Sequence, residues 1–287
     1  MKKYYTRACN FFYGQDSRQL VKKKLTLPLC NDSSISFNQI ELFSRNKKIV
    51  KNKIVDLKNI KKLPKKIKEK VIQDLKKITR KREFLGKKSH AIMGVINMTP
   101  DSFSDGGKYH TFKKANQRIK NLIKSGADII DIGGESTRPG SKVINPKKEL
   151  ERVKRVIKVF KKRFSKTFLS IDTRKSPVID YAVKVKADIV NDVSCFRFDQ
   201  NSHISVRNKN IWKIIHHMQG TPQTMQINPK YNNVLLDIYD FFESNIKNNF
   251  SDKKIIIDPG IGFGKSLKHN LTLISKISLF HTLGFPI

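Results

Sequence analysis

From residue 91 to its end the chain repeats one plan: a short apolar run, a polar loop, then a helical pattern. The first copy is AIMGVINMTPDSFSDGG, residues 91–107. Residues 91–96 carry no charge, as in a strand buried on both faces. The run breaks at Asn97 into a loop rich in Asp, Ser and Gly, and a helix is expected over 112–124. Further strands are expected at 128–132, 167–171, 187–190, 211–215 and 254–257, and residues 285–287 look like the start of a seventh. Between them fall helices from Pro146 (Leu150, Val153, Ile157 and Phe160 inward), at 176–185, at 234–246 and at 270–283. Ser176 is the expected N-cap of its helix and Pro177 its first residue. Residues 195–210 are polar and poorly periodic.

Six strands alternating with helices predict a parallel α/β protein. Nearly every strand ends on a polar side chain: Asn97, Asp131, Asp172, Asn191 with Asp192, His216 with His217, and Asp258. A doubly wound sheet gathers its chemistry at one switch point. Polar loops on all six strand ends instead favour a barrel with one shared face at the C-terminal ends of its strands. The barrel region is 89–287, and 1–88 reads as a basic extension.

That extension predicts a hairpin over 33–43 and 49–57, then a helix from Pro64 to about residue 82 with Ile67, Val71, Ile72, Leu75 and Ile78 on one stripe. Its opposite face is almost all Lys. Nothing in 1–88 suggests chemistry, and a small appendage packed by its apolar stripe is the simpler reading than a docking arm.

The formal net charge is +35. Such a surplus attracts polyanions in general, but Lys dominates with no Arg-rich cluster and no aromatic interleaving, so specific nucleic-acid binding is not expected. Cys9, Cys30 and Cys195 are odd in number and lack metal-ligand spacing. The basic start has no apolar core of a signal peptide, and no run approaches a membrane span. A cytoplasmic protein with no membrane partner is the expectation.

Two glycine-rich stretches invite a phosphate reading. PGIGFGKS (259–266) ends like a P-loop, but Pro259 stands where the first glycine is required. GGESTRPG (133–140) is a better anion site, with two hydroxyls and a guanidinium beside glycine amides. Asp172, Asn191 and Asp258 come from three strands that a barrel would aim into one mouth. Together with apolar Met218 and Phe263 they suit a flat ring bearing N–H donors. His216 and His217 are adjacent, so on a strand they face opposite ways and do not share a metal.

These blocks carry a resemblance. INMTPDSFSDGG (96–107) and DIGGESTRPG (131–140) resemble the two signatures of the bacterial dihydropteroate synthase family. SIDTRK, IVNDVS, HHMQGTPQTMQ and IIDPGIGFGK follow in the family's order. The resemblance covers about 89–287. It implies a TIM barrel that joins 6-hydroxymethyl-7,8-dihydropterin diphosphate to p-aminobenzoate, releasing pyrophosphate, with Mg2+ assisting. By resemblance Asp172, Asn191 and Asp258 bind the pterin, and Met218 and Phe263 flank it. Asn97 contacts Mg2+ and diphosphate, while Thr137 and Arg138 serve the diphosphate and p-aminobenzoate. The loops of Phe103 and Pro139 close over the reacting centre. No general acid or base is assigned.

Two departures stand out. Cys195 replaces a glycine usual in the turn after strand four. A barrel of this type also runs to roughly 250 residues, whereas 89–287 holds about six βα units. The family's Ser-Arg-Lys and Arg-x-His motifs, after strands seven and eight, have no counterpart here. The expected architecture is therefore a barrel truncated after about six units, with a small α+β N-terminal extension; a full-length version is expected to be a homodimer. Two alternatives remain open on the residues alone: an inactive pterin-binding remnant, and a pterin-binding methyltransferase on the same barrel.

Overall fold

A computed structural model describes residues 2–86, 90–99, 108–250 and 254–287. The chain divides into two compact units. One is Met1–Ser89 with Lys230–Ser244 and Leu267–Ile287; the other is His90–Pro229 with Asn245–Ser266.

The first unit is built on an antiparallel sheet. Strand β1 (Lys3–Tyr13) leads into helix α1 (Gly14–Lys22), then β2 (Leu27–Leu29), β3 (Asp32–Asn46) and β4 (Ile49–Asp56). The long β3 pairs with β1 along one side and with β2 and β4 along the other. The β3–β4 hairpin lies where alternation predicts it. β1 was not expected, because Tyr5, Thr6, Ala8 and Cys9 are all buried and its polarity therefore does not alternate. A 3-10 helix (Leu57–Lys62) and α2 (Lys65–Thr79) follow. The α2 stripe of Val71 and Ile78 joins Ala8, Phe37, Ile40, Leu42 and Val55 in one core. Each Val, Leu, Ile or Phe among them contributes about 1.5–3 kcal/mol on burial.

The second unit holds six parallel strands: β5 (Met93–Asn97), β6 (Ile129–Gly133), β7 (Phe168–Asp172), β8 (Ile189–Asp192), β9 (Trp212–His216) and β10 (Ile255–Asp258). Helices α3 (Lys108–Lys124), α4 (Pro146–Arg163), α5 (Ser176–Lys184), α6 (Ser202–Val206) and α7 (Val234–Asn249) lie between them in sequence, α7 being divided between the units after Ser244. Strand order follows chain order with no reversal. That is barrel winding, since a doubly wound sheet turns back on itself at its switch point. Ile96, Ile130, Ile132, Leu169, Ile171, Val190, Ile215 and Ile257 alternate out of this sheet on one side and are buried. The intervening residues share the other face. Helix α4 starts as its residues dictate: Asn145 caps it by accepting from the Lys147 N–H at 2.8 Å, with Pro146 next.

The cap expected at Ser176 lies elsewhere. Lys175 occupies the capping position without a side-chain cap bond. The Ser176 N–H donates instead to Asp199 Oδ2 at 2.8 Å, a carboxylate brought from a distant loop. The helix expected at 270–283 is also two pieces, α8 (Leu267–Ser275) and a 3-10 helix (Ile277–Leu283), broken at Lys276. Residues 285–287 form no strand.

Those last pieces complete the first unit, so its membership is discontinuous where the sequence suggests a simple break near residue 88. Ser278 Oγ donates to the Ala8 carbonyl at 2.8 Å. Lys276 reaches Glu41 at 2.8 Å. Asp240 accepts from Lys3 and from the Tyr5 hydroxyl, and Tyr5 packs edge-on against Tyr239 at 5.3 Å. Local periodicity carries no sign of such partners, which lie more than two hundred residues apart. Among the described residues, no helix is long and apolar enough to cross a membrane.

Candidate active site

Register places the polar strand ends in one row. Asn97 pairs with Gly133, Gly133 with Asp172, and Asp172 with Asn191. Asn191 then pairs with Ile214, and Ile214 with Ile256. Asp258 lies two residues beyond Ile256 and so on the same face. Asp172, Asn191 and Asp258 are thereby brought to a common surface. Gly133 makes room for the row: a Cβ there would stand 3.1 Å from Asp172 Oδ2 and 3.5 Å from Asn97 Oδ1.

The acids behave differently along the row. Burial, and then the nearby carboxylates of Asp131, Glu149, Asp192 and Glu135, push the Asp172 carboxyl well up. Asp258 is the open one, its side chain 46% exposed. Its Oδ1 accepts from the Gly260 N–H at 2.8 Å.

An apolar slot adjoins the acids. Val193, Met218 and Met225 form a buried cluster with Phe263 against it. The Phe263 ring meets the His216 ring edge to face at 4.6 Å. His216 Nδ1 lies 3.2 Å from the Val193 carbonyl, so that nitrogen carries the proton; its Nε2 is 4.0 Å from Asp258 Oδ2. Lys265 ties the glycine loop to the end of β9, donating to Phe263 O at 2.8 Å, to His217 O at 3.1 Å and to His217 Nδ1 at 3.1 Å. Burial, then the Lys265 charge, holds the His217 imidazole down to about 2. The two histidines thus serve different partners. Gly260 has φ +71 and sits so close that a Cβ would lie 2.0 Å from the His217 carbonyl. Only glycine fits there.

Behind the row lies a buried ionic network that the sequence did not suggest. Glu135 binds Arg174 at 2.7 Å and Lys175 at 2.6 Å, and Lys175 continues to Glu149 at 2.5 Å. Thr173 Oγ1 donates to Glu149 at 2.6 Å, and the Arg174 guanidinium stacks 3.8 Å from the Phe198 ring centre. Burial works against the Glu135 charge, yet hydrogen bonds from Arg174, Lys175 and the Ile144 N–H hold its carboxyl below the usual range. The network joins the loop after β6 to the loop after β7. Four charges scattered over residues 135–175 give no periodic signal; only an acid inside GGEST and two adjacent bases at Arg174 and Lys175 hint at it.

The remaining expected residues are less enclosed. Thr137 is half-buried, and Arg138 and Pro139 are exposed. Their loop is anchored by Gly140, whose N–H donates to the Pro222 carbonyl at 3.0 Å. Phe103 lies outside the described residues. Cys195 is buried at φ +57, a left-handed conformation that explains the preference for glycine there. Burial pushes its thiol up to about 12.

Residues 93–287 match the model of the pterin binding enzyme family. The dihydropteroate synthase of Escherichia coli strain K12 is 38% identical over 200 residues, covering 68% of this chain and 70% of that protein. A dihydropteroate synthase structure from Clostridium difficile, determined in the presence of pteroic acid, superposes with TM-score 0.65 at 37% identity, covering 71% of this chain and 77% of that one. The Xanthomonas albilineans dihydropteroate synthase with 4-aminobenzoic acid gives TM-score 0.63 at 35% identity, covering 68% and 70%. A six-stranded barrel winding, a row of acids and amides on one face and these likenesses agree: the chain belongs to the pterin-binding enzyme family, among its dihydropteroate synthases.

Proposed function

We propose that the inner face of the six-stranded sheet binds 6-hydroxymethyl-7,8-dihydropterin diphosphate and presents it to p-aminobenzoate. In the reaction the carbon–oxygen bond to diphosphate breaks, the aniline nitrogen bonds to that carbon and sheds a proton, and pyrophosphate departs. Dihydropteroate, a folate precursor, is the product. Asp172, Asn191 and Asp258 accept the pterin N–H groups, a carboxylate being able to take two at once. Met218 and Phe263 flank the ring and keep water from its faces. The observation that supports this most is the shared register of Asp172 and Asn191 beside the Met218 cluster.

Thr137 and Arg138 serve the diphosphate and p-aminobenzoate, and Pro139 closes the loop above them. Because a neutral aniline attacks, no protein base is needed; the leaving charge is what must be stabilised. Asn97 and Asp172 bring hard oxygen atoms together over Gly133, donors that suit Mg2+. No group of three or more His, Cys, Asp or Glu side chains suited to a metal occurs among the described residues. Asn97 would hold the ion, with water and diphosphate completing the shell, as Mg2+ tolerates. When bound, the ion neutralises charge building on the diphosphate.

The test is calorimetric titration with 6-hydroxymethylpterin. Asp172→Asn replaces one carboxyl oxygen with an amide nitrogen that cannot accept and should cost about 1–3 kcal/mol, an affinity loss of about 10-fold. Unchanged affinity would remove Asp172 from the site and this reading with it.

A further inference from the structure

Asp131 stands one layer beneath the row of strand ends. It pairs with Val95 on one side and Ser170 on the other, and is 3% exposed. Asn191 Nδ2 donates to Asp131 Oδ2 at 3.0 Å. The other oxygens of the pair, Asp131 Oδ1 and Asn191 Oδ1, are buried without a hydrogen-bond partner. Burial raises the Asp131 carboxyl, opposed by the polar groups of Ser170 and Asn191.

That bond holds the amide with its nitrogen turned toward Asp131. The reversed amide would set oxygen against oxygen. Asn191 is therefore held with its own oxygen as the free end. An unmatched buried acceptor is destabilising, a penalty that a ligand N–H relieves.

We propose that Asp131 is a positioning residue: it locks the Asn191 amide oxygen-outward, so that the site accepts a flat heterocycle offering an N–H at that point and refuses one offering a lone pair. The inference rests on the assignment of the pterin to Asn191. Asp131 itself stands below the ligand and acts only through the amide.

A double-mutant cycle on the full 287-residue chain, titrated calorimetrically with 6-hydroxymethylpterin, separates the two claims. Asp131→Ala and Asn191→Ala should each weaken binding about 10-fold. The double variant should be no more than about 2-fold weaker than Asn191→Ala alone, because Asp131 would have nothing left to orient. Asp131→Leu is run beside Asp131→Ala so that an empty volume does not decide the result. Asp131 variants that bind like the parent, or that repeat their full penalty in the Asn191→Ala background, overturn the inference. Parental affinity in Asn191→Ala would instead overturn the pterin assignment itself. Hydrogen exchange on the parent chain gives a reading that needs no variant: the Asn191 side-chain amide protons should resist exchange, and rapid exchange refutes the lock.

Discussion

In the first unit, two buried carboxylates are answered by neighbours. Asp74 takes the Thr6 hydroxyl at 2.8 Å and the Lys70 ammonium at 2.5 Å. Glu41 is held by Arg7, Lys276 and Asn52. In the second unit the ionic network behind the strand ends is as complete, but the inner face is not. There Asp131 and Asn191 each keep an oxygen without a partner, and Asp172 is crowded by other carboxylates. Buried polar groups are normally satisfied, and each exception calls for a reason. The contrast separates carboxylates held by fixed partners from a strand-end pair that the proposed pterin would complete, within one chain.

Three substitutions would sharpen or break that division. The largest effect is expected from Phe37→Ala in the first core, which should cost about 3–5 kcal/mol of stability in urea unfolding. Affinity of the folded fraction for 6-hydroxymethylpterin should stay the same; a parallel loss would mean that the first unit contributes to binding.

Lys265→Met tests whether a buried cation at the rim belongs to the fold. Burial pushes the Lys265 ammonium down to about 7 from an ordinary 10.5, with Asp258 pulling the other way. Between those values the unfolded chain holds a proton that the folded chain has released, so stability should rise with pH there. It should fall again as pH drops toward about 7. Urea midpoints at about pH 7 and about pH 9.5 should differ in the parent and converge in the variant. A slope that survives the substitution would assign it to another group.

The smallest effect belongs to Asn145→Ala, which removes one cap bond from α4. A loss of about 1 kcal/mol is expected, read as a lower melting temperature with pterin binding unchanged. Weaker binding would show that the start of α4 bears on the site.

Much of this was legible in the amino acids. Buried strands such as Ile129–Gly133 read as apolar runs, and their polar ends announced both the winding and the shared face. Asp172, Asn191 and Asp258 were visible because each sits at a strand end, where the chain leaves its apolar pattern. What escaped was tertiary. Ser176 looks like a cap, but the backbone there is met by Asp199 while Lys175 turns into the ionic network. Residues 270–283 read as one helix, yet Lys276 and Ser278 bond to Glu41 and Ala8. Asp131 read as one more polar strand end; its bond to Asn191 spans 60 residues of sequence. Each miss is a contact that local spacing does not encode.

The discontinuous first unit has a consequence for biosynthesis. The bond from Ser278 to Ala8 spans 270 residues of sequence. A ribosome delivers β1 long before residues 276–278, while local contacts form quickly and distant ones late. The antiparallel sheet therefore emerges early but must wait through translation of the parallel strands. During that interval the lysine-rich sheet stands exposed to chaperones, and this unit is sealed only when residues 276–278 reach it.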